Sequence, residues 1–206
     1  MAGGSSMYDY IVVGGGSAGA TVAGRLAQRR AATVMLLEAG PSWYSSEMPE
    51  AVHAADPAPI GSRGITRFPD VHWQDIQARR SPVQEPYLYP RGRGLGGTSN
   101  VNAQMAIRPP LDDFLAWEAC SPIWSEGQVL DAFITLESDL DFGEASYHGT
   151  DGPVPIERLP ESGWGSLARQ LTEAALDLGH QWCEDHNAPG STGVSPQALN
   201  RRNGRR

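Results

Sequence analysis

The segment Gly14-Gly15-Gly16-Ser17-Ala18-Gly19 constrains this chain more than any other stretch of it. It reads G-x-G-x-x-G, preceded by the strand-like YDYIVV with its apolar run Tyr10 to Val13 and opening a stretch of helical character from about Ser17 to Arg30. A second apolar run, Thr33 to Glu38, follows and closes on an acid. Strand, glycine turn, helix and strand make a βαβ unit over residues 8–40. Neither strand alternates apolar with polar residues, as expected of a parallel sheet covered by helices on both faces. Gly14 allows the tight turn, Gly16 removes a Cβ where a pyrophosphate must come close, and Gly19 lets helix and strand pack tightly. Unsatisfied N–H groups at the helix start favour an anion, each interaction contributing about 0.3–1 kcal/mol. Glu38, about twenty residues beyond the last glycine, is placed to accept hydrogen bonds from ribose hydroxyls and to repel a 2′-phosphate. NADP is therefore disfavoured, and NAD or the ADP half of FAD remains. The expected fold class is α/β, a Rossmann-like FAD/NAD(P)-binding fold.

Composition narrows the function classes. A chain of 206 residues has room for one domain, or one and a fraction. Its net charge of -8 argues against nucleic acid as a partner, because phosphate backbones would be repelled. All 16 basic residues are arginines, so lysine Schiff-base chemistry and the Walker lysine are excluded. Cys120 and Cys183 are expected to be reduced thiols. No apolar run approaches the ~20 residues of a membrane span, and the opening MAGGSSM lacks a signal core, so a cytoplasmic location is expected.

Ten of the sixteen prolines fall between Pro41 and Pro110. Residues 41–90 accordingly read as a long ordered excursion or lid rather than a packed layer. Helices return at about Leu111 to Ala119 and after Ser125, where Ser125 and Gln128 fit a capping box. A third starts near Ser166, with Leu167, Leu171, Ala174 and Leu178 on one stripe and Gly179 as a left-handed stop. Residues 187–206 show no periodic pattern. His180, Cys183, Asp185 and His186 match no standard zinc spacing, so no metal site is expected. His72 and Trp73 have two readings, a place near the cofactor and packing within the lid, of which packing is favoured.

A second glycine-rich run, RGRGLGGTSNVN from Arg91 to Asn102, marks another close approach of backbone to a ligand. With YDYIVVGGGSAGATVAGRLA, LLEAG and GRGLGGTSNVNAQMAIRP in this order and spacing, the chain resembles the start of the glucose-methanol-choline oxidoreductases, the choline dehydrogenase-like proteins among them. Trp117, Trp124, the segment YHGTDGPVPI, Asp185, Asn187, Asn200 and Gly204-Arg205 are similar to later landmarks of that family. The resemblance implies FAD as cofactor. It assigns the diphosphate to Gly14, Gly16, Ser17 and Ala18, counts Gly19 in the same cofactor-binding motif, and gives the adenosine ribose to Glu38 and the second motif to Gly92, Gly97, Thr98, Asn102 and Ala103. Residues 91–206 then comprise that motif and helical segments, and the substrate domain is absent.

The family's chemistry, as the resemblance implies it, moves a hydride from a small-molecule alcohol to the flavin while a histidine near the carboxyl end of a longer chain takes the proton. None of the five histidines here matches that position, so no catalytic residue is assigned. The expectation is an amino-terminal portion of an FAD-dependent oxidoreductase acting on CH–OH donors, with an incomplete fold, inactive alone. The alternatives are a non-catalytic dinucleotide-binding remnant, a subunit completed by a partner chain, and an NAD-dependent dehydrogenase.

Overall fold

The computed structural model describes residues 7–29, 32–44, 46–54, 56, 60, 61 and 64–206. They form two compact units, Met1–Ala103 with Arg206, and Gln104–Arg205. The second glycine run thus belongs with the βαβ unit rather than with the helical segments that follow it.

In the first unit, β1 (Tyr10–Val13) and β2 (Val34–Leu37) pair in parallel from Tyr10↔Val34 to Val13↔Leu37. The crossover is α1 (Ser17–Ala27). Gly19 is required for its packing: a Cβ there would lie 1.9 Å from the Gly14 carbonyl oxygen. The helix ends earlier than Arg30, which lies outside the described residues, because the last turn tightens through Arg29 N–H to Leu26 O at 3.0 Å. The expectation that both sheet faces are covered is not met among the described residues. Ile11 is 60% and Val13 81% exposed.

The proline-rich stretch carries α2 (Glu50–His53) and an antiparallel pair, β3 (Gln77–Ala78) with β4 (Tyr87–Leu88). It is more than an unpacked excursion. Val52, Ile60 and Val71 from this stretch are buried with Val101 in one apolar cluster, flanked by Trp43, Met48, Ala51 and Phe68. Prolines prevent a periodic helix, yet short turns between them still deliver single apolar side chains to a common centre.

In the second unit, a 3₁₀ turn (Leu111–Phe114) runs into α3 (Leu115–Glu118), followed by α4 (Glu126–Leu136). Phe114, Trp117, Trp124 and Phe133 pack these together, with ring centroids 4.8–6.3 Å apart. The capping box is not formed. Ser125 caps α4 with no side-chain bond, and its carbonyl accepts Val129 N–H at 3.0 Å. The chain passes from α4 directly into β5 (Glu137–Asp139), which pairs in parallel with β6 (Val154–Arg158), and β6 pairs antiparallel with β7 (Ala198–Asn200). α5 (Ser166–Asp177) is followed by Gly179 at φ +91°, the left-handed stop the sequence indicates. Its leucine stripe is uncovered among the described residues, Leu171 being 62% and Leu178 82% exposed. No helix among the described residues is long and apolar enough to cross a membrane.

Candidate cofactor site

A cleft of about 570 Å³ opens where β1 turns into α1, lined by Val13, Gly14, Gly16, Leu37, Glu38, Ala39, Trp73, Gly92, Gly97 and Thr98. The volume falls in the range of small-molecule sites, about 300–1,000 Å³. Of the residues that the motifs single out, Gly14, Gly16, Glu38, Gly92, Gly97 and Thr98 share this lining. Ser17 and Ala18 form the first turn of α1, which has no side-chain cap and no acidic residue, leaving its N–H groups for an external anion. Asn102 and Ala103 do not line the cleft.

The two glycine loops are built against each other. Gly96 N–H donates to Gly15 O at 2.8 Å, and Gly16 and Gly96 form a parallel bridge. Gly97 sits at φ +57°, and a Cβ there would meet the Gly16 Cα at 2.8 Å. At Gly16, by contrast, an added Cβ meets no atom closer than 3.9 Å. The space that it would fill borders the cleft, as close approach of a diphosphate requires. The second loop is closed by Gly92 N–H donating to Thr98 Oγ1 at 3.2 Å.

Glu38 is the joint between the loops. Its Oε2 accepts Gly15 N–H at 2.6 Å, and its Oε1 accepts Gly40 N–H at 2.9 Å and Gly94 N–H at 3.0 Å. Burial alone would raise the carboxyl's pKa, but the donors of Gly40, Gly15 and Gly94 outweigh it and hold the pKa below its ordinary value. The carboxylate is thus ionised, oriented by three main-chain donors, and set at the cleft's edge. Sequence reasoning found Glu38 but not its link to Gly94, 56 positions away.

Trp73 takes the less favoured of its two sequence readings: it lines the cleft and carries the Arg93 guanidinium over its ring at 5.6 Å. His72 does pack. It is 1% exposed, and its Nδ1 donates to the Phe68 carbonyl at 3.0 Å.

The second unit holds a buried ionic cluster that sequence reasoning missed. His148 Nε2 lies 2.8 Å from Asp185 Oδ2, and its Nδ1 faces Glu137 Oε1, with Asp139 Oδ2 at 3.3 Å. Arg108 donates to Glu137 at 2.6 Å. Arg158 donates to Asp139 at 2.6 Å and to Asp185 at 2.7 Å. Burial opposes charge on His148, but the bonds to Asp185 and Glu137 prevail and push its pKa up to about 9. Glu137, Asp139 and His148 have the proximity of a metal-ligand set. With both ring nitrogens directed at carboxylates, however, His148 is a double donor without a lone pair to offer, and two guanidiniums already occupy the carboxylates. Asp185 belongs to this cluster, while His186 Nε2 bonds Gly193 O at 2.8 Å, so the His180–His186 segment converges on no centre. The signal for the cluster was the YHGTDG segment, legible as a family landmark but silent about its partners.

The residues present fit FAD: an open anion-accepting helix start, an oriented carboxylate for a sugar, and a second loop docked beside the first. Residues 8–206 match the GMC oxidoreductase family. The chain is 32% identical over 200 residues to 5-(hydroxymethyl)furfural oxidase of Methylovorus sp., covering 94% of this chain and 37% of that protein. It is 34% identical over 211 residues to the oxygen-dependent choline dehydrogenase of Pseudomonas putida, covering 98% and 35%. The crystal structure of pyridoxine 4-oxidase from Mesorbium loti superposes with a TM-score of 0.81 at 31% identity, covering 97% of this chain and 38% of that one. The chain therefore spans 35–38% of the length of these relatives. It belongs to the glucose-methanol-choline oxidoreductase family and carries that family's FAD-binding amino-terminal fold.

Proposed function

We propose that the chain holds FAD in the cleft between its two glycine loops, as the cofactor-binding part of an oxidoreductase acting on CH–OH donors. The observation that carries the reading is the Glu38 carboxylate, bonded at once to Gly15 of the first loop and Gly94 of the second. The first turn of α1, from Gly16 through Ser17, Ala18 and Gly19, would receive the diphosphate. Glu38 would hold the adenosine ribose, and Gly92, Gly97, Thr98, Asn102 and Ala103 would support the remainder. Bound FAD supplies a two-electron acceptor for the hydride released as an alcohol carbon becomes a carbonyl. The choline dehydrogenase and the 5-(hydroxymethyl)furfural oxidase among the relatives support an alcohol as donor.

The chain's own residues bind rather than react. Among the residues lining the cleft, Glu38 is the one carboxylate, and histidine, lysine, cysteine and tyrosine are absent from the lining. Glu38 is held ionised by N–H donors and is committed to orientation. An alcohol proton therefore has no acceptor of matched pKa here, and general-base assistance is worth roughly 10²–10⁴-fold in rate. The chain is thus proposed to bind flavin without turning over alcohol. The same observation favours a second reading, a dinucleotide-binding subunit completed by a partner chain.

Separate titrations with FAD and NAD test the assignment. Flavin fluorescence should quench to saturation, NAD should not compete, and anaerobic addition of choline should leave the bound flavin yellow. Saturable binding of NAD alone would overturn the FAD reading, and bleaching by the alcohol would overturn the proposed inactivity. Gly97→Ala should weaken FAD binding at least tenfold, since a Cβ 2.8 Å from the Gly16 Cα must force the loops apart. Unchanged affinity in that variant would show that the two loops do not act as one site.

A further inference from the structure

The second unit carries a cavity of about 630 Å³, formed by one face of α5 and the segments on either side of it. Trp164 and Trp182 make its aromatic wall, their ring centroids 6.2 Å apart and their planes inclined at 37°. Both are half-buried, so part of each ring remains open to a ligand. Each indole N–H is already spent: Trp164 Nε1 donates to Leu159 O at 2.9 Å and Trp182 Nε1 to Glu184 Oε1 at 2.7 Å. These bonds fix the rings and leave their faces, which are electrostatically negative. Among the described residues no guanidinium lies over either ring.

Arg169 is the one cation of the lining, and its Nε and Nη2 donate to the Trp164 carbonyl at 3.1 and 2.6 Å. The carboxylates of Glu161 and Glu173, also in the lining, carry no hydrogen bond or ion pair among the described residues. Negative charge is therefore in excess, most of the donors are committed, and the acceptors are open. That is the complement of a ligand bringing positive charge on an apolar body. A sugar, which an aromatic wall would also suit, brings acceptors as well as donors and finds few donors here. Arg169, Thr172, Glu173 and Leu176 reach the cavity from the side of α5 opposite Leu167, Leu171 and Leu178, as the helical period requires. An element packing on the exposed leucine stripe approaches from that far side and leaves the cavity open.

We propose that this cavity binds a small organic ammonium ion, with its alkyl groups against Trp164 and Trp182 and its charge facing Glu161 and Glu173. Cation–π attraction supplies the wall's contribution, and the carboxylates select for charge. The inference does not depend on the FAD reading.

Titration of the full chain with tetramethylammonium chloride tests it, read by the indole ¹H–¹⁵N signals of Trp164 and Trp182, each assigned from its Trp→Phe variant. Both signals should move along a saturating curve beyond a sodium chloride blank of equal ionic strength. tert-Butanol, of similar shape but uncharged, should move neither. Changing Glu161→Gln and Glu173→Gln together should weaken the ion about tenfold and leave the melting temperature unchanged, because both side chains are exposed and bond nothing. Trp182→Leu should abolish saturation. Shifts that stay linear in the ion would overturn the proposal. So would equal binding of tert-butanol, which would make the cavity merely apolar, or an affinity unchanged in the double glutamine variant. Should Trp182→Leu not fold, the glutamine pair, which preserves the packing, decides. A chain that fails to bind FAD but saturates with the ion would sink the cofactor reading alone.

Discussion

Glu38→Gln should weaken FAD binding about 10- to 100-fold and should also weaken binding of FMN, which has no adenosine ribose. The first effect follows from the loss of charge-assisted bonds to the sugar, worth about 1.5–3 kcal/mol. The second follows from the loops. A carboxylate accepts Gly15, Gly40 and Gly94 N–H groups on two oxygens, whereas a glutamine has one acceptor and an NH₂ that must face at least one of those donors. Whichever way the amide turns, residue 38 loses its bond to Gly15 of the first loop or to Gly94 of the second, so the tie between the loops breaks and every ligand held by both is affected. Comparing ADP, FMN and FAD separates the two terms. A variant that weakens ADP while leaving FMN unchanged would reduce Glu38 to a ribose contact and remove it as the joint of the site.

How this joint formed was half legible in the sequence. Strands at Tyr10–Val13 and Val34–Leu37 coincide with uninterrupted apolar runs, and the glycine spacing plus the terminal acid mark the crossover and its ligand-facing end. These are local signals, each within one turn or one strand. The bond from Gly94 to Glu38 is not local, and nothing in the proline-rich stretch between them announces which backbone donor returns to the acid. The same limit hid the sheet β5–β6–β7. Glu137, Ser138 and Asp139 are three consecutive polar residues, yet all three are buried. Their burial is tolerated because Arg108, His148 and Arg158 arrive from 29, 11 and 19 positions away to satisfy them. Periodicity assumes that buried positions are apolar, so a strand buried through ion pairs carries no pattern for it to find. Val52, Ile60 and Val71 failed for another reason: the prolines that signal turns do not reveal that the turns share a centre.

The buried cluster around His148 should dominate the stability of the second unit. Glu137, Asp139 and Asp185 are matched by Arg108, Arg158 and His148, and the set is electrically neutral when the imidazole is protonated. His148→Ala leaves one carboxylate uncompensated in a site where the His148 side chain is 0% exposed. Breaking a buried ion pair from one side costs about 3–5 kcal/mol, a large fraction of the 5–15 kcal/mol that typically separates folded from unfolded states. The sign with pH follows from the direction of each shift. His148 rises on folding from 6.5 to about 9, so its contribution is complete below 6.5 and is lost as the pH climbs through 9, on the order of 3 kcal/mol in all. Asp185 is lowered from 3.8 to about 2: burial opposes its charge, but the bonds from His148, Asn187 N–H and Arg158 outweigh it. Its contribution is complete above 3.8 and is lost as the pH falls toward 2. Urea denaturation across pH should therefore show the parent chain losing stability between pH 6.5 and 9, while His148→Ala, already weaker, stays level over that range. A parent curve that is flat up to pH 9 would mean that the imidazole is neutral in the folded protein, and the charge balance assigned to the cluster would have to be abandoned.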